Sequence, residues 1–288
     1  MPEFSGDLRV FGIIGYPLSH SLSPLMQRAA FLQLGLKHEY VPFQVQPRDL
    51  PGAVEGARAL GLAGFNVTIP FKEAILPLLD ELSGEAILMG AVNTVVNRSG
   101  RLWGYNTDGR GFLLSLEKEL GMKVQGKEAL LLGAGGAARA VAFALAREKV
   151  SRLTIANRTG AKAIKLARDL SSRTGIPVEV CGLDERELSR FLSAAHLLVN
   201  TSPLGMYPNR DALPPVPVEL LQPPLVVYDL IYNPLQTRLL KMASQKGCRT
   251  LNGLGMLVYQ GAESFRVWTG QPGPVEIMRL AVEKALEI

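Results

Sequence analysis

The sequence predicts an α/β protein made of two α/β domains with mostly parallel sheets. Strand and helix signals alternate almost throughout the 288 residues. A glycine turn of the nucleotide-binding kind, Gly133-Ala134-Gly135-Gly136-Ala137, lies mid-chain, so a separate α/β unit precedes it. Two helices close the chain after enough strands to finish a nucleotide-binding sheet. They are therefore expected to pack back onto the first domain. The expected division is residues 1–108 with 253–288 for one domain and 109–252 for the other.

Each element has its own signal. Val10–Ile14 reads as a buried first strand. Ser23-Pro24 opens a helix, with Ser23 as N-cap and Pro24 in the first turn, that ends near Gly35. Strands are expected at 39–45 and 64–69, then a helix over 71–82. Short strands at 91–96 and 102–105 flank the turn Asn97-Arg98-Ser99-Gly100, and a helix over 112–120 is closed by Gly121. The nucleotide unit begins near Lys127: apolar Ala129–Leu132, the glycine turn, a helix over 139–145 and a strand at 152–156. Further strands are expected at 197–200 and 226–230, separated by a proline-rich connection (203–224) with room for one helical turn. Helices over 253–268 and 275–286 finish the chain.

Strand, tight glycine turn and helix together can hold a pyrophosphate against a helix N-terminus, where free N–H groups and the positive dipole end face the ligand. A packed βα turn without a ligand is the alternative. About twenty residues further on, NAD-type sites place an acid for the ribose 2′-hydroxyl. Here Asn157-Arg158-Thr159 stands instead. A guanidinium suits a 2′-phosphate, and a hydrogen bond to a charged group is worth ~1.5–3 kcal/mol, so Arg158 favours NADP as cofactor.

Composition bounds the other classes. With 47% hydrophobic and 20% charged residues the chain is ordinary globular material. Its formal net charge is +5, but no run of Lys and Arg suggests a nucleic-acid partner. Cys181 and Cys248 form no metal or redox motif, and His20, His38 and His196 show no ligand spacing, so no metal is expected. Met1–Asp7 lacks the pattern of a signal peptide, and no apolar run nears the ~20 residues that span a bilayer. A cytoplasmic protein without a membrane partner is expected. Its oligomeric state is left open, a homodimer among the options.

In the first domain, Ser19-His20-Ser21 lies between the first strand and the first helix. Its two hydroxyls can donate to a carboxylate or serve as ordinary loop caps. In Asn66-Val67-Thr68-Ile69-Pro70-Phe71-Lys72, alternation puts Asn66 and Thr68 on one strand face. Lys72 then sits at the start of the expected helix, where a cation is electrostatically unfavourable, which points to a functional reason for it. Solvent-directed packing is the alternative. Asn93 in Gly-Ala-Val-Asn-Thr and Asp108 in Asn-Thr-Asp-Gly add polar groups near strand ends, where α/β sheets bind ligands; Asp108 is equally able to cap the next helix.

Ser-x-Ser, Asn-Val-Thr-Ile-Pro-Phe-Lys, Gly-Ala-Val-Asn-Thr, Asn-Thr-Asp-Gly, Gly-Ala-Gly-Gly-Ala, Asn-Arg-Thr and Gly-Leu-Gly-Met-Leu-x-x-Gln occur in that order between Gly15 and Leu280. The chain resembles the shikimate dehydrogenase family in these motifs and their spacing. The resemblance implies an N-terminal substrate-binding domain completed by C-terminal helices and a Rossmann-like NADP-binding domain. It implies the reversible NADPH-dependent reduction of 3-dehydroshikimate to shikimate, a step of aromatic amino-acid (chorismate) biosynthesis. Lys72 and Asp108 would be the acid/base pair. Ser19 and Ser21 would bind the substrate carboxylate, and Asn66, Thr68, Asn93, Tyr232 and Gln260 would complete the substrate site. The cofactor would lie on Gly133, Ala134, Gly135, Gly136 and Ala137, on Asn157, Arg158 and Thr159, and on the backbone at Leu230 and Gly253. A cleft between the domains would hold substrate on one wall and nicotinamide on the other. Some members carry an acid, linked to the cofactor, twelve positions past the lysine; Gly84 stands there in this chain. An NAD-dependent quinate/shikimate dehydrogenase is disfavoured by Arg158. A non-catalytic metabolite sensor would have little reason to keep both Lys72 and Asp108.

Overall fold

The computed structural model of the chain describes residues 8–286. Met1–Asp7, read above as lacking a signal peptide, lie outside the described residues. The elements run β1 (Arg9–Gly15), α1 (Ser23–Gln33), β2 (His38–Gln44), α2 (Leu50–Ala59), β3 (Gly64–Val67), β4 (Glu81–Leu82), α3 (Gly84–Met89), β5 (Thr94–Arg98), β6 (Arg101–Tyr105) and α4 (Asp108–Leu120). They continue with β7 (Glu128–Leu132), α5 (Gly136–Arg147), β8 (Arg152–Ala156), α6 (Gly160–Thr174), β9 (Val178–Cys181), α7 (Glu185–Leu192) and β10 (Leu197–Asn200). Last come β11 (Val226–Asp229), α8 (Arg238–Gln245), β12 (Arg249–Leu251), α9 (Leu254–Thr269) and α10 (Val275–Ala285). None of the described helices is long and apolar enough to cross a membrane. The chain divides into two compact units: the described residues up to Gly111 together with those from Val258 onward, and Phe112–Leu257. The divisions fall part-way along α4 and α9 rather than at 108/109 and 252/253.

The first unit is a six-stranded mixed sheet in the order β2-β1-β3-β5-β6-β4. β1 runs parallel to β2 and β3, while β5 is antiparallel to both β3 and β6. Apolar side chains cover it because its central strands bury both faces. Ile14, Val54, Phe65, Val67, Phe71, Ile75, Val95 and Leu102 form one cluster. Phe11, Phe31, Tyr40, Phe265 and Trp268 form an aromatic group in which Phe11 and Trp268 lie 5.1 Å apart and Phe31 and Phe265 5.3 Å. Each large buried side chain contributes roughly 1.5–3 kcal/mol. The C-terminal helices return to this unit as expected: α10 packs on α1, Trp268 Nε1 donates to Val95 O at 2.9 Å, and Gln27 Nε2 donates to Gly261 O at 2.9 Å.

Several local expectations are corrected. No α-helix spans 71–82: Lys72–Ile75 forms turns, Leu76–Leu78 one 3-10 turn, and β4 follows. Pro77 lacks the N–H that a helix there would need, and Lys72 consequently does not sit at a helix N-terminus. Ser23 is the first helical residue rather than the cap; Leu22 occupies the cap position and Pro24 still lies in the first turn. The helix expected over 112–120 starts a turn earlier, at Asp108. α2, α3, α6, α7, α8 and the strands β4, β9 and β12 were not anticipated.

The second unit is an all-parallel six-stranded sheet in the order β12-β11-β10-β7-β8-β9. Counted from β7, the chain lays three strands to one side and then returns to lay three on the other. This is the doubly wound arrangement, whose ligand crevice lies where the order reverses, beyond the carboxyl ends of β7 and β10. β7 is apolar because it is central: Ala129 to Leu132 are all at most 3% exposed.

On α6, Asp169 joins the guanidinium groups of Arg139, on α5, and of Arg173, one turn on at 2.5 Å. Burial pushes the Asp169 carboxyl up, but these arginines outweigh it and hold it below the usual carboxylate range. A lowered native pKa means stability that is present above about pH 4 and lost as the pH falls through the lowered value. Asp169→Asn is expected to cost about 1–2 kcal/mol in urea melts at pH 7. The gap from wild type should narrow in melts at about pH 3.

Candidate active site

Topology gathers the polar residues of the first unit at one sheet edge. β1 and β3 are parallel, so both end there, at Gly15 and Val67. β5 is antiparallel to β3 and starts there, at Thr94, directly after Asn93; β6 is antiparallel to β5 and ends there, ahead of Asn106-Thr107-Asp108. The register pairs Asn66 with Thr94 and Thr94 with Tyr105. The segments beyond β1 and β3 stay together, since Thr68 N donates to Ile14 O and Tyr16 N to Ile69 O, both at 2.9 Å.

At this edge Lys72 Nζ donates to Asp108 Oδ2 at 2.5 Å. The ammonium side chain is 24% exposed and the carboxylate 8%, so the pair is open to a small molecule on the lysine side only. Lys72 is tied in by its backbone, its carbonyl accepting Val92 N at 2.7 Å. The other carboxylate oxygen, Oδ1, accepts Asn93 Nδ2 at 2.9 Å. The Asn93 amide can point only one way. Its Oδ1 accepts Thr107 N at 2.8 Å and Thr94 Oγ1 at 2.9 Å, which leaves Nδ2 facing Asp108 and Thr107 Oγ1. Asp108 also begins α4, and its own N–H donates to Asn106 Oδ1 at 3.1 Å. It therefore serves as both helix start and lysine partner.

Gln260 lies on the same unit, with Oε1 3.4 Å from Asn93 Nδ2. Ser19 is exposed and Ser21 half-buried in the turn after β1, where Ser21 Oγ accepts Ser23 N at 3.4 Å. Thr68 is half-buried just past β3. Asn66 is held at both ends of its amide. Its Oδ1 accepts Tyr40 Oη at 2.7 Å, and its Nδ2 faces Asn93 O, Thr94 Oγ1 and Ser264 Oγ at 3.0–3.2 Å. With the amide so engaged, Asn66 supports the floor of the site. Tyr40, Thr94, Thr107 and Ser264 were missed from the sequence. Ser264 had a usable signal: it follows Gln260 by one helical turn, and so shares its helix face.

In the second unit, β7 runs into Gly133, whose φ of +117° few side chains tolerate and where an added Cβ would lie 2.5 Å from Thr201 Oγ1. Gly135 caps α5 with no side-chain hydrogen bond, the first turn of the helix carries no acid, and added Cβ atoms at Gly135 and Gly136 would meet nothing within 4 Å. Open space in front of uncapped N–H groups fits a pyrophosphate. Arg158 lies exposed beyond the end of β8, in a turn held by Asn157 Nδ2 donating to Thr159 O at 2.9 Å. Leu230 follows β11, and Gly253 comes so close that a Cβ there would stand 1.9 Å from Leu230 O. Tyr232 belongs to this unit, and burial pushes its phenol up. Gly84 opens α3, which Ser83 caps by accepting Ala86 N at 3.1 Å.

Family models match three stretches: shikimate dehydrogenase substrate binding domain over residues 13–95, shikimate/quinate 5-dehydrogenase over 115–202, and shikimate 5′-dehydrogenase C-terminal domain over 253–283. A shikimate dehydrogenase (NADP(+)) from Methanopyrus kandleri is 50% identical over 276 residues, covering 96% of this chain and 95% of its own. A crystal structure of shikimate dehydrogenase in complex with NADP+ is similar at a TM-score of 0.92 and 45% identity, covering 98% of this chain and 97% of that one. Shikimate 5-dehydrogenase from Thermus thermophilus, in complex with NADP(H) and shikimate, gives 0.86 at 39% identity, covering 96% and 99%. Family models thus account for most of the polypeptide, and the relatives and solved structures match it over nearly its whole length: this chain belongs to the shikimate dehydrogenase family.

Proposed function

We propose that the protein catalyses the reversible NADPH-dependent reduction of 3-dehydroshikimate to shikimate, in the biosynthesis of aromatic amino acids by way of chorismate. The observation that carries the reading is the Lys72–Asp108 pair at 2.5 Å, at the sheet edge where the first unit gathers its polar residues. NADPH, when bound, supplies the hydride that reduces the substrate carbonyl. Lys72 gives the proton that the same carbonyl oxygen needs, and in the reverse direction takes it from the hydroxyl. Asp108 holds the amine in place, and Asn93 in turn fixes Asp108 by donating to Oδ1. Ser19 and Ser21 donate to the substrate carboxylate. Thr68, Asn93 and Gln260 bind the ring hydroxyls, Tyr232 makes another substrate contact, and Asn66 completes the substrate site.

In the second unit, the N–H groups from Gly133 to Ala137 take the pyrophosphate. Asn157, Arg158 and Thr159 take the 2′-phosphate end, and Leu230 and Gly253 present backbone to the other end. The reading takes the enzyme as cytoplasmic, and its small-molecule chemistry is open to a homodimer as to a monomer. Incubation with shikimate and NADP should raise absorbance at the reduced-nicotinamide band. No signal at any pH from neutral to alkaline would overturn the proposal.

A further inference from the structure

The carboxyl edge of the second sheet holds a buried anion with no part in the scheme above. Asp229, the last residue of β11, is 0% exposed. Three donors converge on it: Asn200 Nδ2 at 2.9 Å and Ile231 N at 3.2 Å on Oδ1, and Thr237 Oγ1 at 2.7 Å on Oδ2. Each donor anchors a different stretch of backbone. Asn200 Oδ1 accepts Ser202 N at 3.1 Å and Ser202 Oγ at 2.6 Å, which fixes the turn after β10. Thr237 caps α8 by accepting Leu240 N at 3.3 Å. Ile231 O accepts Gly253 N at 2.9 Å, and Leu230 N donates to Asn200 O at 3.0 Å.

A carboxylate suits this position because it only accepts and all three partners donate. Burial pushes the carboxyl up to about 6, against the pull of the Thr237 hydroxyl, the Ile231 N–H and the Asn200 amide. At neutral pH it is still ionised and can accept all three bonds. A buried charge is a costly way to achieve stability alone, since apolar packing would serve as well. Its location supplies another reason. The glycine turn follows β7 and Arg158 follows β8, so the adenosine half of a dinucleotide lies over the β7-β8-β9 side of the sheet. The other half then extends over β10, β11 and β12; Asp229 ties the carboxyl ends of β10 and β11 directly and reaches the end of β12 through Ile231, whose carbonyl accepts Gly253 N.

We infer that Asp229 is a positioning residue for the nicotinamide half of the cofactor site, holding the turn after β10 and the segment from Leu230 to Thr237 in one arrangement. The inference rests on the NADP binding proposed above. Its test compares Asp229→Asn, which sets an amide N–H₂ among three donors, with Thr237→Val, which removes one donor together with the α8 cap at constant shape, and with Thr237→Ser, which keeps both. Dissociation constants are measured by fluorescence or calorimetry for NADPH and for adenosine 2′,5′-bisphosphate, which reports on the glycine-turn and Arg158 half alone. NADPH should weaken about tenfold or more in Asp229→Asn and several-fold in Thr237→Val. The bisphosphate should stay within about twofold of wild type, and Thr237→Ser should bind both normally. If Asp229→Asn does not fold, the two Thr237 variants decide alone. NADPH binding within about twofold of wild type in Asp229→Asn (or, where that variant does not fold, in Thr237→Val), or equal weakening of both ligands, would overturn the positioning role. Wild type that binds neither ligand would remove the cofactor reading along with it.

Discussion

Replacing Lys72 with alanine is expected to lower turnover by about 10²–10⁴ while shikimate still binds. The size follows from what a positioned proton donor contributes when its proton moves with the hydride. Binding should survive because the proposed function leaves the carboxylate and ring hydroxyls to other residues: Ser19 and Ser21 in the turn after β1, and Thr68, Asn93 and Gln260 along the same sheet edge. Turnover and KM from steady-state assays, with the shikimate dissociation constant from calorimetry, separate the two effects. Lys72→Arg sharpens the test. Arginine keeps the positive charge beside Asp108 but does not release a proton near neutral pH. If Lys72 acts through charge alone, arginine restores most of the rate. If it acts by proton transfer, the arginine variant stays about as slow as alanine. Near-wild-type turnover in Lys72→Ala would remove Lys72 from the chemistry altogether.

Lys72 also shows how a faulty route can single out a residue that the fold pairs with Asp108. In the sequence it stands out as a cation at a helix N-terminus, yet Pro77 and the turns around it leave no helix there. What accounts for the lysine is Asp108, which comes to it only because β3, β5 and β6 reverse direction in turn. That reversal is not written in any one segment. The same limit applies to Tyr40, Thr94, Thr107 and Ser264, which lie in four separate stretches and meet only through the sheet order and the return of α9. Local signals were most legible where local physics dominates. An apolar strand running into glycines specified β7, its turn and α5 within a few residues, because backbone freedom and an exposed helix start are properties of that segment alone. α6 carries a readable stripe in Ala163, Leu166, Ala167 and Leu170, at helical spacing, but its many charges mask it. β9 and β12 are the edge strands of their sheet, four and three residues long, and half-exposed edges give little alternation to read.

Arg158→Leu is expected to reduce the preference for NADPH over NADH by about ten- to a hundredfold, through NADPH alone. The geometry favours a clean result. Arg158 is exposed beyond the end of β8 and takes part in no ion pair among the described residues, so its removal should cost little stability. The turn around it is held independently, by Asn157 Nδ2 on Thr159 O, and α6 begins at Gly160 whatever stands at position 158. Separate kcat/KM values for the two cofactors are the measurement: the value for NADPH should fall and the value for NADH should stay where it was. Ionic strength provides a second check. An exposed guanidinium facing a phosphate is screened by salt, so the wild-type preference should shrink as salt rises through the range where the Debye length drops below about 10 Å. The variant, having lost the charge, should respond far less. If both cofactors weaken together, Arg158 shapes the turn rather than reading the phosphate, and the choice of NADP must come from elsewhere on the β8 edge.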